Sequence, residues 1–395
     1  MPAPMRRREF LLALLALPRL RIRRVRMYES PITRPMINQS FHVVTVETEE
    51  GITGIGEGGS PDLVRLAAQL IIGEDARQTD ALWQLMYRGL FYPAGREQLH
   101  AIGALDMAMW DIKAKALNVP LYEMLGGKSR DSIECYATAF PRKGSLKETA
   151  RACIEAGFRA YRTSVADPGK GEPFDSRAIV RRTVEQCREI RDGVGPNGEW
   201  AIDYHTRLDY ADAVRLSALL EPLEPVFAED LVRSENKAFY RQLRAAVRLP
   251  IAVGEQFGDR WELNELVEQR LIDWSRVSLP NCGGITEFMK ICALCETHYV
   301  GMAPHFTGPV GEAALVHCLL SYSGPVLMEM LGDGRRQVPY LPEHYDFRNG
   351  RMWPNERPGL GVTFDSSRVK MIAEISEGAK PLPVYRRPDG SLTNW

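Results

Sequence analysis

The chain has 395 residues, more than one ordinary hydrophobic core organises, so we expect two domains or one large barrel with additions. Its 50 Lys and Arg residues nearly balance 51 Asp and Glu residues, and the net charge of −1 provides no general field to attract nucleic acid or an anionic membrane. A nucleic-acid-binding function is therefore disfavoured, and no segment has the ~20 consecutive apolar residues of a membrane span.

The N-terminal segment partly resembles an export signal. Residues 6–18, RRREFLLALLALP, place arginines before an apolar run, as twin-arginine signals do. The apolar run is short, however, and a strand-like segment begins near residue 20 without an intervening Ala-x-Ala cleavage site. We interpret residues 1–19 as an export-signal-like or disordered segment. We expect a cytoplasmic protein, with export to the periplasm as the alternative.

The next hundred residues change from strand-like to helical patterning. Residues 20–60 alternate apolar and polar positions, with a hairpin turn indicated at Glu50-Gly51. From residue 61 onward apolar residues recur every three or four positions, and the last helical segment, ALDMAMWDIKAKALNVPLYEMLGG, ends at Gly126-Gly127. Residues 20–130 are therefore predicted to form a separate α+β domain.

After residue 130, short apolar segments alternate with helices of about ten to fifteen residues. The eight candidate strands are IECYATA, FRAYRTS, EWAIDYH, PVFAED, PIAVGE, WSRVSL, YVGMAPH and PVLMEML. Because parallel strands need helical crossovers, we predict a parallel (β/α)₈ barrel over residues 131–340. The seven cysteines are scattered through apolar segments, and Cys292 and Cys295 lie within a helical pattern, so we interpret them as structural residues in a reducing compartment.

Acidic residues follow three successive candidate strands at equal spacing. Asp203, Glu229 and Glu255 are each 26 residues apart, and His305 follows 50 residues later. The carboxyl ends of barrel strands share one mouth, so these side chains should converge. Three converging carboxylates repel one another unless a cation lies between them, and oxygen ligands suit Mg²⁺. The spacing therefore predicts a site for one Mg²⁺.

Several longer motifs, namely ALDMAMWDIKAKALNVPLYEMLGG, FAED, VGEQF, GGITEFMKI and APH, together resemble the enolase superfamily in its mandelate racemase / muconate lactonizing enzyme branch. The resemblance covers roughly residues 20–370. It implies a (β/α)7-8 barrel of the TIM type with an N-terminal α+β capping domain that the C-terminal segment, residues 341–395, completes. It also implies that Asp203, Glu229 and Glu255 hold Mg²⁺, which stabilises the enediolate formed when a base removes the α-proton of a carboxylate substrate.

The resemblance directs attention to bases on the second and third barrel strands. The second strand has Arg162 and Ser164 where a Lys-x-Lys pair stands in some relatives, and neither is a ready base, because arginine stays protonated and serine needs an activator. On the third strand, His205 follows Asp203 by two residues, and strand alternation predicts that both face the cavity. This pattern resembles the galactonate and mannonate dehydratases, in which the histidine protonates the departing β-hydroxyl; Arg162 resembles the mannonate type.

The seventh and eighth strands complete the implied site. By resemblance, His305 is the base that removes the α-proton, although Ser278 stands where relatives have an Asp that orients this histidine. Glu329 resembles the family's acid that hydrogen-bonds the substrate carboxylate or an enediolate oxygen. Mannonate-type relatives also lack this Asp and by resemblance use a tyrosine from the loop after the second strand. Here that loop, VADPGKGEPFDSRA, is shorter than in those relatives and contains no tyrosine, so the mannonate mechanism does not transfer intact.

We therefore expect a Mg²⁺-dependent acid-sugar dehydratase, a hydro-lyase, with His205, His305, Glu329 and Arg162 as catalytic residues and no further cofactor. A racemase or epimerase of the same superfamily and a non-catalytic barrel that binds metal or a sugar acid are the alternatives. The expected partner is a sugar acid or another small carboxylate, with no nucleic acid, no stable membrane insertion and a homo-oligomeric assembly. The loops ESPITRPMINQ and GEGGSPD are expected to close over the barrel mouth and set specificity.

Overall fold

The described part of the chain forms one antiparallel sheet and one larger sheet that contains the barrel. The computed structural model describes residues 19–29, 42–335, 337–380 and 382–394. The export-signal-like segment at residues 1–19, except Arg19, and most of the predicted loop ESPITRPMINQ lie outside these residues. None of the helices within them has the length and apolar composition needed to cross a bilayer. The location of the protein stays a prediction.

The secondary structure alternates strands and helices from residue 133 onward, after an N-terminal hairpin and a group of helices. The strands are β1 (Ile22–Tyr28), β2 (Val43–Thr48), β3 (Thr53–Glu57), β4 (Ile133–Thr138), β5 (Ala160–Ser164), β6 (Glu199–Asp203), β7 (Ala228–Glu229), β8 (Ile251–Val253), β9 (Trp274–Ser275), β10 (Gly301–Met302), β11 (Met328–Leu331), β12 (Asp346–Arg348), β13 (Arg351–Trp353) and β14 (Met371–Ile375). The helices are α1 (Pro61–Ile71), α2 (Thr79–Arg88), α3 (Arg96–Ala116), α4 (Leu121–Met124), α5 (Leu146–Glu155), α6 (Ser176–Val194), α7 (Tyr210–Leu220), α8 (Phe239–Ala246), α9 (Arg260–Glu268), α10 (Ile285–Thr297) and α11 (Pro309–Ser321), with 3-10 turns at Glu221–Leu223 and Ser366–Arg368.

The N-terminal sheet has the strand order β14-β1-β2-β3, and all of its pairs are antiparallel. The hairpin turn predicted at Glu50-Gly51 is confirmed, and Gly51 adopts a φ of 85° that suits glycine. Strand β3 lies directly on α3, where an added Cβ at Gly56 would come within 1.9 Å of the Ala104 carbonyl oxygen. We call this sheet together with α1, α2 and α3 the capping domain.

One helical segment was predicted as continuous and is instead broken. The motif that ends at Gly126-Gly127 forms the end of α3 and then the short α4. Asn118 adopts a left-handed φ of 54° and Pro120 precedes α4, so the chain turns between them. Proline disfavours helical geometry in the residue before it, which explains the break.

The eight predicted barrel strands are confirmed as β4 to β11. Neighbouring strands from β4 to β10 pair in parallel, and β11 pairs in parallel with β4. A parallel bridge between Met302 and Val326 joins the two ends of the series and closes the barrel. Strands β12 and β13 add an antiparallel hairpin at β4. All seven cysteines, which lie in the described part of the chain, are buried with free thiols.

The barrel interior combines small and large side chains. A buried cluster inside the ring of strands contains Tyr136, Ala160, Ala201, Phe227, Ala252, Ala303 and Leu327. The alanines leave room for the rings of Tyr136 and Phe227, whose centroids are 5.6 Å apart in an edge-to-face arrangement. The interior is therefore a packed core, and polar chemistry is confined to the mouth at the carboxyl ends of the strands.

Candidate active site

The carboxyl ends of the barrel strands bring most of the predicted site residues together. Asp203 and Glu229 end neighbouring strands and lie opposite each other in register. The Arg162 guanidinium, from β5, is an ion-pair partner of both: Nη2 contacts Asp203 Oδ2, and Nε is 3.0 Å from Glu229 Oε2. Its Nη1 is 3.6 Å from Glu329 Oε1 on the eighth strand. Arg162 thus links its own strand, β5, to three other strands of the barrel.

A second buried arginine, which the sequence analysis did not single out, lies at the centre of the site. Arg276 follows β9, and its side chain has no exposed surface. Its Nη2 is 2.5 Å from Glu229 Oε1, 2.8 Å from Glu329 Oε2 and 3.4 Å from Glu255 Oε2, while Nη1 contacts the Tyr136 hydroxyl. The arginine within the predicted strand WSRVSL could have indicated this, because a charged residue buried in a strand needs partners of opposite charge.

Removing this arginine should destabilise the fold. Arg276→Met is expected to lower the free energy of unfolding by about 3–5 kcal/mol, because it leaves the buried Glu229 and Glu329 with Arg162 as their only remaining arginine partner. Urea denaturation of the metal-free protein measures the change, and Arg248→Met, at a surface arginine, serves as the control. Equal stability of the Arg276→Met variant and the wild type would contradict the assigned role.

The carboxylates at the mouth form a tight group. Oxygen atoms of Glu229, Asp230 and Glu255 lie within 4.8 Å of one another. Asp203 is outside this group, since its Oδ1 accepts the His205 N–H at 2.6 Å and its Oδ2 contacts Arg162. Two of the three predicted metal ligands are therefore in the group, and Asp230 is an acidic neighbour that the sequence analysis passed over, although FAED shows two acids in succession.

The electrostatics of this group favour a bound cation. Burial raises the pKa of both Glu229 and Asp230 well above the ordinary carboxyl value, and other carboxylates nearby add to the rise. The pKa of Asp203 is also raised by burial, although Arg162 opposes the rise. Burial is the main cause of these shifts, and at Glu229 the arginines Arg162 and Arg276 oppose it; the contribution of the neighbouring carboxylates is the part that a bound cation would offset.

A count of charges supports the same conclusion. The site contains five carboxylates, at Asp203, Glu229, Asp230, Glu255 and Glu329, against two buried guanidinium groups. The ion pair from Arg276 to Glu229 Oε1 lacks hydrogen-bond geometry, and this buried oxygen has no other hydrogen bond among the described residues. A divalent cation with a preference for oxygen fits the excess charge of this group.

His305 lies beside this group, directly after β10. Its Nε2 is 3.3 Å from Glu255 Oε2, and its ring stacks on Phe306 at a centroid distance of 4.4 Å. Its backbone N–H donates to the Arg276 carbonyl at 3.3 Å. Ser278, at the position where relatives have an orienting Asp, is buried. The carboxylate next to the His305 imidazole is thus that of Glu255, which follows the fifth barrel strand, β8.

His205 lies where strand alternation does not apply, so the argument that placed it on the same strand face as Asp203 is wrong. Strand β6 ends at Asp203, and His205 and Thr206 adopt left-handed φ values of 47° and 55°. The physical cause is an Asx-turn, in which the Asp203 carboxylate accepts the N–H two residues on. The His205 side chain is exposed at the rim of the mouth.

Glu329 is held as a carboxylate by four groups. Oε1 accepts from Thr138 Oγ1 at 2.5 Å and pairs with Arg162, while Oε2 accepts from Arg276 Nη2 at 2.8 Å and from the Phe306 N–H at 3.1 Å. Burial opposes ionisation, but the two guanidinium groups outweigh it and hold the pKa of Glu329 far below its ordinary value. An ionised Glu329 has no proton to donate to a substrate oxygen.

Comparison with known proteins gives consistent matches over most of the chain. Residues 21–126 match the family model of the mandelate racemase / muconate lactonizing enzyme N-terminal domain, and residues 145–368 match the enolase C-terminal domain-like model. The chain is 34% identical over 366 residues to a D-galactonate dehydratase of Xanthomonas oryzae pv. oryzae, covering 89% of this chain and 95% of that relative. It is 31% identical to a D-mannonate dehydratase of Caulobacter vibrioides, covering 90% and 96%.

Solved structures agree with these relatives. An enolase from Pantoea ananatis with bound D-gluconate and Mg matches with a TM-score of 0.78 at 27% identity, covering 95% of this chain and 100% of that one. An enolase superfamily member from Salmonella Typhimurium matches with a TM-score of 0.82 at 26% identity over 90% of this chain. The chain therefore belongs to the mandelate racemase / muconate lactonizing enzyme branch of the enolase superfamily, and it is a hydro-lyase that groups with the acid-sugar dehydratases of that branch.

Proposed function

We propose that this hydro-lyase removes water from a sugar acid in a Mg²⁺-dependent reaction that yields a 2-keto-3-deoxy acid. The observation that carries the proposal is the buried group of carboxylates at the barrel mouth with the His305 imidazole against it. The relatives named as D-galactonate and D-mannonate dehydratases support the choice of substrate class. The individual sugar acid is left to experiment.

The proposed metal ligands are Glu229, Glu255 and one further carboxylate. Resemblance to the family favours Asp203 as this third ligand, whereas proximity to the other two favours Asp230. Mg²⁺ bound there supplies a Lewis acid that neutralises charge developing on the substrate carboxylate. Arg162 and Arg276 hold the ligand carboxylates in place from below. Glu329 fixes both guanidinium groups and so acts as a positioning residue in this proposal.

The proton transfers are assigned to the two histidines. Neutral His305 accepts the α-proton at Nε2, and the electrons of the broken C–H bond enter the enediolate of the substrate. His205 then donates a proton to the β-hydroxyl, the C–O bond breaks, water leaves, and the enol product becomes the 2-keto acid. The exposed ring of His205 at the rim makes it accessible to a substrate that enters through the mouth.

A substrate panel tests the function. Purified protein with Mg²⁺ is incubated with hexonic and pentonic acids in D₂O, and 2-keto-3-deoxy products and α-deuterium are measured together. We expect at least one acid to yield the keto product. Exchange of the α-proton without a keto product would instead identify an epimerase or racemase, and binding without either reaction would identify a non-catalytic barrel.

A further inference from the structure

A buried carboxylate of the capping domain contacts the helix that follows the proposed catalytic base. Glu57 is the last residue of β3 and is 1% exposed. Its Oε2 accepts the backbone N–H groups of Val310 at 3.0 Å and Gly311 at 3.1 Å, in the first turn of α11. We propose that Glu57 is a positioning residue that fixes the location of His305 for proton abstraction. The proposal rests on the function proposed above.

The start of α11 requires such an acceptor from outside the helix. The first N–H groups of any helix lack intrahelical partners, and they attract negative charge. Here the N-cap residue is Gly308, which has no side chain to accept them, and Pro309 follows. An added Cβ at Gly308 would lie 2.0 Å from Glu57 Oε1, so glycine makes room for the carboxylate. The local sequence therefore suits an acceptor supplied by the capping domain.

His305 lies on the short segment between β10 and α11, which several contacts hold. From the barrel side, the Ala303 N–H donates to the Ser275 carbonyl at 2.8 Å, the His305 N–H to the Arg276 carbonyl at 3.3 Å and the Phe306 N–H to Glu329 Oε2 at 3.1 Å. The Glu57 contact adds an anchor from the capping domain at the far end of the segment. Displacement of a reacting group by about 1 Å can cost about 10²-fold in rate, so the anchor matters for turnover.

A second contact of the same kind provides a matched control. Asp106 on α3 is also a buried capping-domain carboxylate, and it accepts from Thr286 N at 2.9 Å and Thr286 Oγ1 at 2.6 Å in the first turn of α10. Helix α10 follows the sixth barrel strand, so it does not carry the segment with His305. Loss of Asp106 should weaken the contact between domains without moving the proposed base.

The experiment compares kcat, KM and thermal stability for Glu57→Gln, Glu57→Ala and Asp106→Asn on the substrate that the panel identifies. We expect kcat to fall about 10-fold for Glu57→Gln and about 100-fold for Glu57→Ala, with KM changed less than about threefold. Asp106→Asn should lose comparable stability and keep kcat within about twofold. Gly308→Ala, which displaces the carboxylate from the other side, should reproduce the loss of kcat.

A second readout does not depend on turnover. In crystal structures of the Glu57 variants, the distance from His305 Nε2 to Glu255 Oε2, 3.3 Å here, should lengthen, whereas Asp106→Asn should retain it. If the wild type dehydrates no acid sugar, the proposed function fails, and this distance still tests the role of Glu57. Unchanged kcat and an unmoved His305 in Glu57→Gln, with only stability lost, would overturn the proposal in favour of simple domain docking.

Discussion

The His305→Asn variant should lose α-proton exchange and dehydration together, each by about 10²–10⁴-fold, because asparagine keeps much of the shape of histidine but accepts no proton. The His205→Asn variant should behave differently. It should lose dehydration to a similar degree but retain α-proton exchange, since the proposed acid acts only after the C–H bond has broken. The contrast between the two variants separates the two proton transfers.

Both rates can be measured in one experiment. The α-proton signal of the substrate in D₂O reports exchange by NMR, and the keto product reports dehydration. His298→Asn is a suitable control, because His298 follows α10 and so lies before β10, toward the end of the barrel opposite the mouth. Wild-type turnover in both the His305 and the His205 variants would show that the roles are misassigned.

The second large effect should come from Glu229, one of the two carboxylates that both candidate ligand sets share. Glu229→Gln should reduce Mg²⁺ affinity by 10-fold or more and turnover by about 10³-fold, because it removes a charged ligand from the centre of the group. Treatment of the wild type with a chelator should likewise abolish activity, and added Mg²⁺ should restore it. Binding of Mn²⁺ as a spectroscopic substitute gives the affinity independently of turnover.

The identity of the third ligand follows from two further variants. If Asp203 is a ligand, Asp203→Asn should match Glu229→Gln in Mn²⁺ affinity, and Asp230→Asn should have a smaller effect. The reverse order would select Asp230. Full Mn²⁺ affinity in the Glu229 variant would mean that the ion binds elsewhere.

The architecture was predictable because it depends on regular spacing. Strands and helices alternate along the chain, and the equal intervals between Asp203, Glu229 and Glu255 predicted that these residues follow successive strands. The spacing did not give the register, since Glu229 pairs with Ala252 and Glu255 lies beyond the end of β8. The strand-face argument for His205 failed because alternation holds only while a strand continues. The Asp203 side chain accepts a hydrogen bond from the His205 N–H, and the strand ends there in a turn. The spacing of apolar residues does not predict such a bond between a side chain and the nearby backbone.

Other features depend on contacts distant in sequence. Arg276 was not predicted because the resemblance to the family pointed to position 278 on the sixth strand, where Ser278 stands. A buried arginine needs charged or polar partners, so its presence in this strand segment was itself a signal. The contact of Glu57 with α11 joins residues more than 250 positions apart. The packing of the capping domain on the barrel determines this contact, so the sequences around Glu57 and at the start of α11 do not predict it separately.

The two buried arginines also bear on how the enzyme matures. In proteins whose only counter-charge is the metal, the ion must arrive for the chain to fold. Here Arg162 and Arg276 are part of the polypeptide and remain charged at every physiological pH, so the barrel has internal cations from the moment it is synthesised. We therefore expect the chain to fold before the proposed Mg²⁺ binds, with the ion joining a barrel that is already formed.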